Sequence, residues 1–286
     1  MKLIAYRPLS AALDAPALIG VVAGDSVIPL TSLEAFYKNT AEWRQRAASA
    51  TGQALAMSDI QVAVPVPPTA KIICAAINYV AHGAESKLPT PKFPNLFARW
   101  ASTLAPTGTP VVVPATEPDG LDWEVELAAI VGTTLHEANA EQAANGVLGY
   151  TSFNDISGRA SQFQSMTLST GQWAIGKNLD NSGAVGSVIT TSDAYDPRGK
   201  RLTTKVNGTL MQDGTTADMV FDVPTLIQFI TQTITLQPGD LIATGTPAGV
   251  GFGRNPRIYA PAGSVIEVEI EGLGAVITPI VERTAR

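Results

Sequence analysis

Asp122-Trp123-Glu124-Val125-Glu126-Leu127-Ala128-Ala129-Ile130-Val131 passes from spaced carboxylates into an unbroken apolar run. Its second half, Leu127–Val131, has the composition of a strand covered on both faces. In its first half, period-2 spacing puts Glu124 and Glu126 on one side of an extended backbone, a few ångströms apart. Like charges that close repel, so the pair is costly unless water or a cation compensates it. The chain supplies a control. Glu267, Glu269 and Glu271 have the same spacing in Ile266–Gly272, where apolar and acidic residues alternate cleanly. That alternation is the mark of a half-exposed strand, and these three are expected to face solvent. Glu124 and Glu126 stand instead at the mouth of a buried strand, and two readings stay open for them, a cation site or a solvated strand face.

Downstream, Asp155 ends the apolar strand Tyr150-Thr151-Ser152-Phe153-Asn154-Asp155. Three carboxylates at strand ends suit a hard cation such as Mg²⁺ or Mn²⁺. Zinc is disfavoured, because one cysteine and two distant histidines, His82 and His136, make no tetrahedral N/S set. Upstream, His82 lies in Asn78-Tyr79-Val80-Ala81-His82-Gly83-Ala84-Glu85. Glu85 is three residues on, within reach if the segment makes a helical turn. A carboxylate so placed orients the imidazole and stabilises its protonated form, as a general base requires; the plainer reading is a surface histidine. Lys177, in Trp173-Ala174-Ile175-Gly176-Lys177, is either a snorkelling surface lysine or a buried cation for a substrate carboxylate or oxyanion. The Gly-rich stretch Ala243–Gly253 lacks G-x-G-x-x-G spacing, and Pro256 and Pro261 follow it in place of a helix. It is no dinucleotide loop, and close backbone approach to a small ligand is its better functional reading.

Further out, strands are expected at Lys2–Tyr6, Lys71–Ala76, Val111–Val113, Val147–Phe153, Leu241–Thr244 and Val265–Ile270. Hairpins are expected at Gly24-Asp25 and Asn207-Gly208. One helix should run from Thr31-Ser32-Leu33-Glu34, which has capping-box spacing, towards Ala48; others should occupy Asn139–Asn145 and the segment from Asp222-Val223-Pro224 to Thr233. The Pro-rich Val64–Pro68 marks a boundary, giving a small N-terminal α+β domain over 1–67 and a larger domain over 68–286. The pattern is β-dominated α+β, without regular βαβ alternation.

Composition narrows the function. Of the 286 residues, 45% are hydrophobic and 15% charged, which allows a large core and rules against disorder. A net charge of -6 without a Lys/Arg cluster argues against nucleic acid as a partner. Cys74, the single cysteine, sits in an apolar run and reads as a buried small hydrophobe. Arg7, Pro8 and Asp14 interrupt the first apolar stretch too early for a signal peptide, and no run reaches the roughly 18 apolar residues of a membrane span. A cytoplasmic protein without membrane attachment is expected.

Taken in order, these segments resemble the fumarylacetoacetate hydrolase superfamily. Asn78-Tyr79 with His82 and Glu85 is followed by Glu124-Val125-Glu126-Leu127, Gly149-Tyr150, Asn154-Asp155-Ile156-Ser157-Gly158-Arg159, Gln162, and Gly176-Lys177 with Asp180. Val206-Asn207-Gly208, Gln212, Pro238-Gly239-Asp240 and Thr244-Gly245-Thr246-Pro247 with Gly249-Val250-Gly251 complete the set, which runs from about Lys71 to Glu282. The resemblance implies a mixed β-sandwich roll preceded by a small N-terminal domain, assembled as a homodimer. It implies that Glu124, Glu126 and Asp155 bind Mg²⁺ or Mn²⁺, with Ca²⁺ able to take their place in crystals. His82 and Glu85 would be the water-activating dyad on a lid, Lys177 a catalytic cation, Gln162 a substrate contact, and Arg159 and Thr246 supports of the pocket. Two departures from the pattern are expected to reshape that pocket: Gly183-Ala184-Val185-Gly186-Ser187, where many relatives carry Pro and Gly-Pro, and Ser161 and Phe163 around Gln162.

The implied partner is a small anionic 2-oxo acid, of the kind met in the breakdown of aromatic compounds. The leading expectation is metal-dependent hydrolysis of a carbon–carbon bond in a 2,4-dioxo acid of the acylpyruvate or fumarylpyruvate type. Oxaloacetate-type decarboxylation, or isomerisation of an unsaturated 2-oxo diacid, is the alternative, since the same electron sink serves all three. A non-catalytic metal-binding relative is a third reading, and a glycosidase, disfavoured by the 6% aromatic content, a fourth.

Overall fold

The computed structural model describes residues 1–12, 14–85, 89–164 and 171–283. The chain opens with β1 (Lys2–Pro8), β2 (Leu18–Ala23), β3 (Ser26–Ser32), α1 (Leu33–Lys38), α2 (Thr40–Ala48), β4 (Leu55–Ala56) and β5 (Ile60–Val62). The Gly24-Asp25 hairpin forms as expected, with Gly24 at φ 61°. The single helix expected up to Ala48 is two. Ser32, not Thr31, caps the first, accepting from the Ala35 N–H at 3.2 Å. Asn39 then interrupts, and its side chain accepts from the Glu42 N–H at 3.4 Å to start α2. An Asn side chain competes with the helix for backbone donors, and here it wins a fresh N-terminus.

Next come β6 (Ile72–Ala76), α3 (Val80–Glu85), β7 (Asn95–Arg99), β8 (Leu104–Pro106), β9 (Val111–Val112), β10 (Val125–Val131), α4 (Ala140–Asn145) and β11 (Val147–Asp155). They lead to α5 (Arg159–Phe163), α6 (Trp173–Gly176), β12 (Gly183–Val185), β13 (Val188–Thr191), β14 (Arg201–Val206) and β15 (Thr209–Thr215). The last elements are α7 (Val223–Thr231), β16 (Leu241–Ala243), β17 (Val265–Ile270) and β18 (Gly274–Val281).

A 13-stranded sheet follows the path β4-β3-β2-β1-β13-β11-β10-β16-β6-β7, with β5, β12 and β8 branching from it. Five strands, β15-β14-β17-β18-β9, make the second sheet. Parallel pairs such as β16 with β6 and β18 with β9 sit among antiparallel ones, so both sheets are mixed. The N-terminal strands join the rest through β1 and β13, with Leu3 opposite Ile189. Leu3, Ile19 and Phe36 share one core with Ile72, Leu148 and Phe153. Among the described residues no helix is long and apolar enough to cross a membrane.

β10 contains the unbroken apolar run Leu127–Val131. Val125, Leu127 and Ala129 face the core shared with Leu202, Ile266 and Val268 of the second sheet. Ala128 and Ile130, on the alternate face, pack with Cys74, Leu148 and Phe153. The strand is therefore apolar at every position because both faces are covered. Glu126 and Glu124 continue the even-numbered face beyond Ala128, to where the hydrophobic packing ends. The control strand β17 behaves as expected: Ile266, Val268 and Ile270 are buried, while Glu269 and Glu271 are exposed and Glu267 is intermediate.

Candidate metal centre and the groups around it

The strand ends bring Glu124, Glu126 and Asp155 together. One oxygen from each lies within 4.8 Å of the others, and all three residues are buried. Asp155 reaches the group because β11 runs antiparallel to β10, with Asn154 opposite Val125. Glu124 and Asp155 are bridged by the Lys177 ammonium, which donates to Glu124 Oε2 and Asp155 Oδ2 at 2.7 Å each. Lys177 is 1% exposed, so it is a buried cation paired with these carboxylates and not a snorkelling surface lysine. Arg159 donates from Nη2 to Glu124 Oε1, from Nη1 to Gln162 Oε1 at 2.8 Å, and from Nε to Asp122 Oδ2 at 2.7 Å.

The three carboxylates are not equivalent. Burial alone would raise Glu124, but Lys177, Arg159 and His82 outweigh it and hold the carboxyl at about 2. Glu126 is pushed well above the usual carboxylate range by burial, reinforced by Asp155 and Glu124. Its hydrogen-bond donor is the Gly245 N–H at 2.8 Å. Lys177 holds its proton more tightly than usual, because Asp155 and Glu124 overcome the effect of burial. A buried carboxylate with no cation hydrogen-bonded to it among the described residues, and two more carboxylates beside it, fit an all-oxygen donor set for a hard divalent cation.

His82 lies on the short helix α3 and is 8% exposed. Its Nδ1 is 3.4 Å from Glu85 Oε2. The Glu85 carboxylate is held from the other side by the Gly249 N–H, at 3.1 Å to each oxygen. Thr246 accepts from Gln212 Nε2 at 2.8 Å, and Gln212 Oε1 in turn accepts from the Val125 N–H at 3.1 Å. Thr246 is thereby tied to the start of β10. His136 is elsewhere, beside Thr235 at 3.1 Å. Cys74 is fully buried, and burial pushes its thiol well up, as an inert core residue requires.

The Gly-rich stretch after β16 makes the expected close backbone approach, and the groups it approaches are the protein's own carboxylates. Gly245 N–H donates to Glu126, Gly249 N–H to Glu85, and Gly251 and Phe252 N–H to Asp122 at 2.6 and 3.1 Å. The glycines are required by contact. A Cβ at Gly251 would lie 1.9 Å from the Ile258 carbonyl oxygen and 2.8 Å from Asp122 Oδ1. Gly251→Ala is accordingly expected to cost about 3 kcal/mol or more, from overpacking and a weakened charged hydrogen bond. Thermal unfolding checks it, and an unchanged Tm would mean that the loop shifts without penalty.

Three charged groups that brace the site escaped the sequence. Arg99 donates to Asp155 Oδ1 and to Ser182 Oγ, and is 2% exposed. A lone Arg at a strand end carries no spacing signal; only the pairing of β7 with β6 places it. Glu117 accepts from the Ala160 and Ser161 N–H groups at 2.8 and 2.7 Å, fixing the start of α5. Asp122 carried a signal that went unused, the same spacing of two before Glu124. Both departures find a place as well. Phe163 stacks on Phe252 with centroids 4.5 Å apart. Gly183 and Ala184 belong to β12, beside Arg99 and Leu104. The expected lid segment includes residues 86–88, which lie outside the described residues. A cavity of about 430 Å³ lined by Arg159, Phe163, Gln164, Arg257 and Tyr259 shares Arg159 with the centre.

Fold and site together define the class: a two-sheet β-roll whose strand ends build a carboxylate centre suited to a divalent cation, with a His–Glu pair alongside. Residues 71–281 match the family model for the fumarylacetoacetate (FAA) hydrolase C-terminal domain. A 2,4-didehydro-3-deoxy-L-rhamnonate hydrolase of Sphingomonas sp. is 42% identical over 213 residues, 74% of this chain and 73% of that protein. A mitochondrial oxaloacetate tautomerase of Homo sapiens is 34% identical over 267 residues, 92% of this chain and 84% of that protein. Among solved structures, a fumarylacetoacetate hydrolase from Exiguobacterium antarcticum superposes with TM-score 0.79 at 32% identity, covering 99% of this chain and 100% of the other. A maleylpyruvate hydrolase from Sphingobium sp., in complex with manganese(II) and pyruvate, superposes with the same TM-score at 27% identity and the same coverage. The chain belongs to the fumarylacetoacetate hydrolase superfamily.

Proposed function

We propose that the protein is a divalent-metal-dependent enzyme that cleaves a carbon–carbon bond in a small 2,4-dioxo acid. The observation that carries the reading is the buried His82–Glu85 pair, braced by Gly249, on the turn beside a three-carboxylate centre. A Mg²⁺ or Mn²⁺ ion held by Glu124, Glu126 and Asp155 would supply Lewis-acid stabilisation of a pyruvate-type enolate.

The chain's own groups account for the other steps. Glu85 orients His82, which takes a proton from water as that water's oxygen bonds to the distal carbonyl carbon. The ammonium of Lys177 has three N–H donors, of which Glu124 and Asp155 take two; the third, with the Gln162 amide, serves the developing oxyanion. Collapse of that oxyanion breaks the bond between the distal carbonyl carbon and C3. The bond's electron pair goes to C3 as the enolate, and His82 returns the proton there. The products are a carboxylate and pyruvate.

The similarity of a named oxaloacetate tautomerase over 92% of this chain favours a second reading, in which His82 moves a proton between C3 and solvent without adding water. Pyruvate release from acetylpyruvate and from oxaloacetate, with Mn²⁺ and again with EDTA, separates the two. Chelator-sensitive release from acetylpyruvate is expected. Faster loss of the oxaloacetate enol's ultraviolet absorbance, with no cleavage of acetylpyruvate, would replace the hydrolase by a tautomerase.

A further inference from the structure

Asp122 is fully buried, yet it is not one of the three carboxylates that converge for a metal. It shares their spacing, two residues before Glu124, but its oxygens are occupied by protein donors. Oδ1 accepts from the Trp123 N–H at 2.9 Å and the Gly251 N–H at 2.6 Å. Oδ2 accepts from the Phe252 N–H at 3.1 Å and Arg159 Nε at 2.7 Å. Arg159 uses its two other nitrogens on Glu124 and Gln162. One guanidinium thus joins a carboxylate outside the centre, a carboxylate within it and the carbonyl end of the Gln162 amide. The planar fork of arginine makes the three directions interdependent.

We propose that Asp122 is the positioning residue of this centre. By fixing Nε of Arg159 it fixes where Nη2 holds Glu124 and which end of the Gln162 amide is left to donate. An outer carboxylate that orients a donor to a metal ligand acts as the partners of metal-bound histidines do, and changing such partners weakens metal affinity or activity about 10- to 100-fold. The proposal rests on the reading of Glu124 as a metal ligand, given above. It goes beyond that reading by assigning a role to a residue that touches neither metal nor substrate.

Asp122→Asn is the discriminating change. An Asn Oδ1 still accepts from Trp123 and Gly251, but its amide nitrogen cannot accept from Arg159 or Phe252. Mn²⁺ affinity, measured by titration calorimetry on wild type, D122N, R159K and the double variant, is expected to fall about 10- to 100-fold in each single variant. The double variant should be no weaker than R159K, because both changes break one relay. In turnover, D122N should lose kcat more than it raises KM. D122N that binds Mn²⁺ within twofold of wild type overturns the proposal. So does an additive loss in the double variant, which is the result of a merely structural role in the loop. Metal affinity decides the role of Asp122 whatever the substrate proves to be. If wild type binds Mn²⁺ but converts neither oxaloacetate nor acetylpyruvate, the reaction falls and the positioning role is still decided.

Discussion

Glu124→Ala is expected to lose Mn²⁺ binding and turnover together. The side chain is one of the three converging carboxylates and the acceptor for two cations, Lys177 and Arg159. Its removal takes away one of the proposed ligands and leaves those cations short of a partner in a buried place. Breaking a buried pair in this way costs roughly 3–5 kcal/mol of stability, so Glu124→Gln, which keeps the shape, belongs beside it. Both variants should bind Mn²⁺ at least about 100-fold more weakly, the top of the range for outer-shell changes, because a direct ligand is altered. Calorimetric titration decides, and full Mn²⁺ occupancy in Glu124→Gln would strike Glu124 from the ligand set.

His82→Ala should do the opposite to the metal and nearly as much to the chemistry. The imidazole is buried on α3 and paired with Glu85. Removing a positioned general base slows a reaction about 10²- to 10⁴-fold. Hydrolysis of acetylpyruvate is expected to fall by that factor, with Mn²⁺ affinity unchanged. Decarboxylation of oxaloacetate, which needs no activated water, should persist. Hydrolysis equal to wild type would remove the dyad from the mechanism.

These expectations began in the sequence for identifiable reasons. Glu124 and Glu126 stood apart from Glu267, Glu269 and Glu271 because the former run into a strand apolar at every position. That difference became burial in the folded chain. Asp155 was legible as the polar end of an apolar strand, and Glu85 as a residue one helical turn from His82. What was not legible depends on pairing between distant strands. Arg99 meets Asp155 across 56 positions, and Arg159 meets Asp122 across 37. Neither separation leaves a local pattern. Helix continuity failed at Asn39 because its own side chain offered the backbone an alternative start. The glycines after β16 were read correctly as demanding close approach, but a sequence does not say what is approached.

Those glycines have a consequence for how this scaffold can change. Glu126, Glu85 and Asp122 are held by peptide N–H groups at 245, 249, 251 and 252. A peptide donor survives every side-chain substitution except proline, so among point mutations only proline deletes it outright, although a crowded Cβ can displace it. A backbone ester, or a change that reroutes the chain, would also remove it. The main chain thus sets part of the electrostatic frame, while the charge around Glu124 and Asp155 comes from the side chains of Lys177, Arg159 and Arg99. The share carried by peptide groups persists as side chains change, whereas the share carried by Lys177, Arg159 and Arg99 is lost with a single substitution.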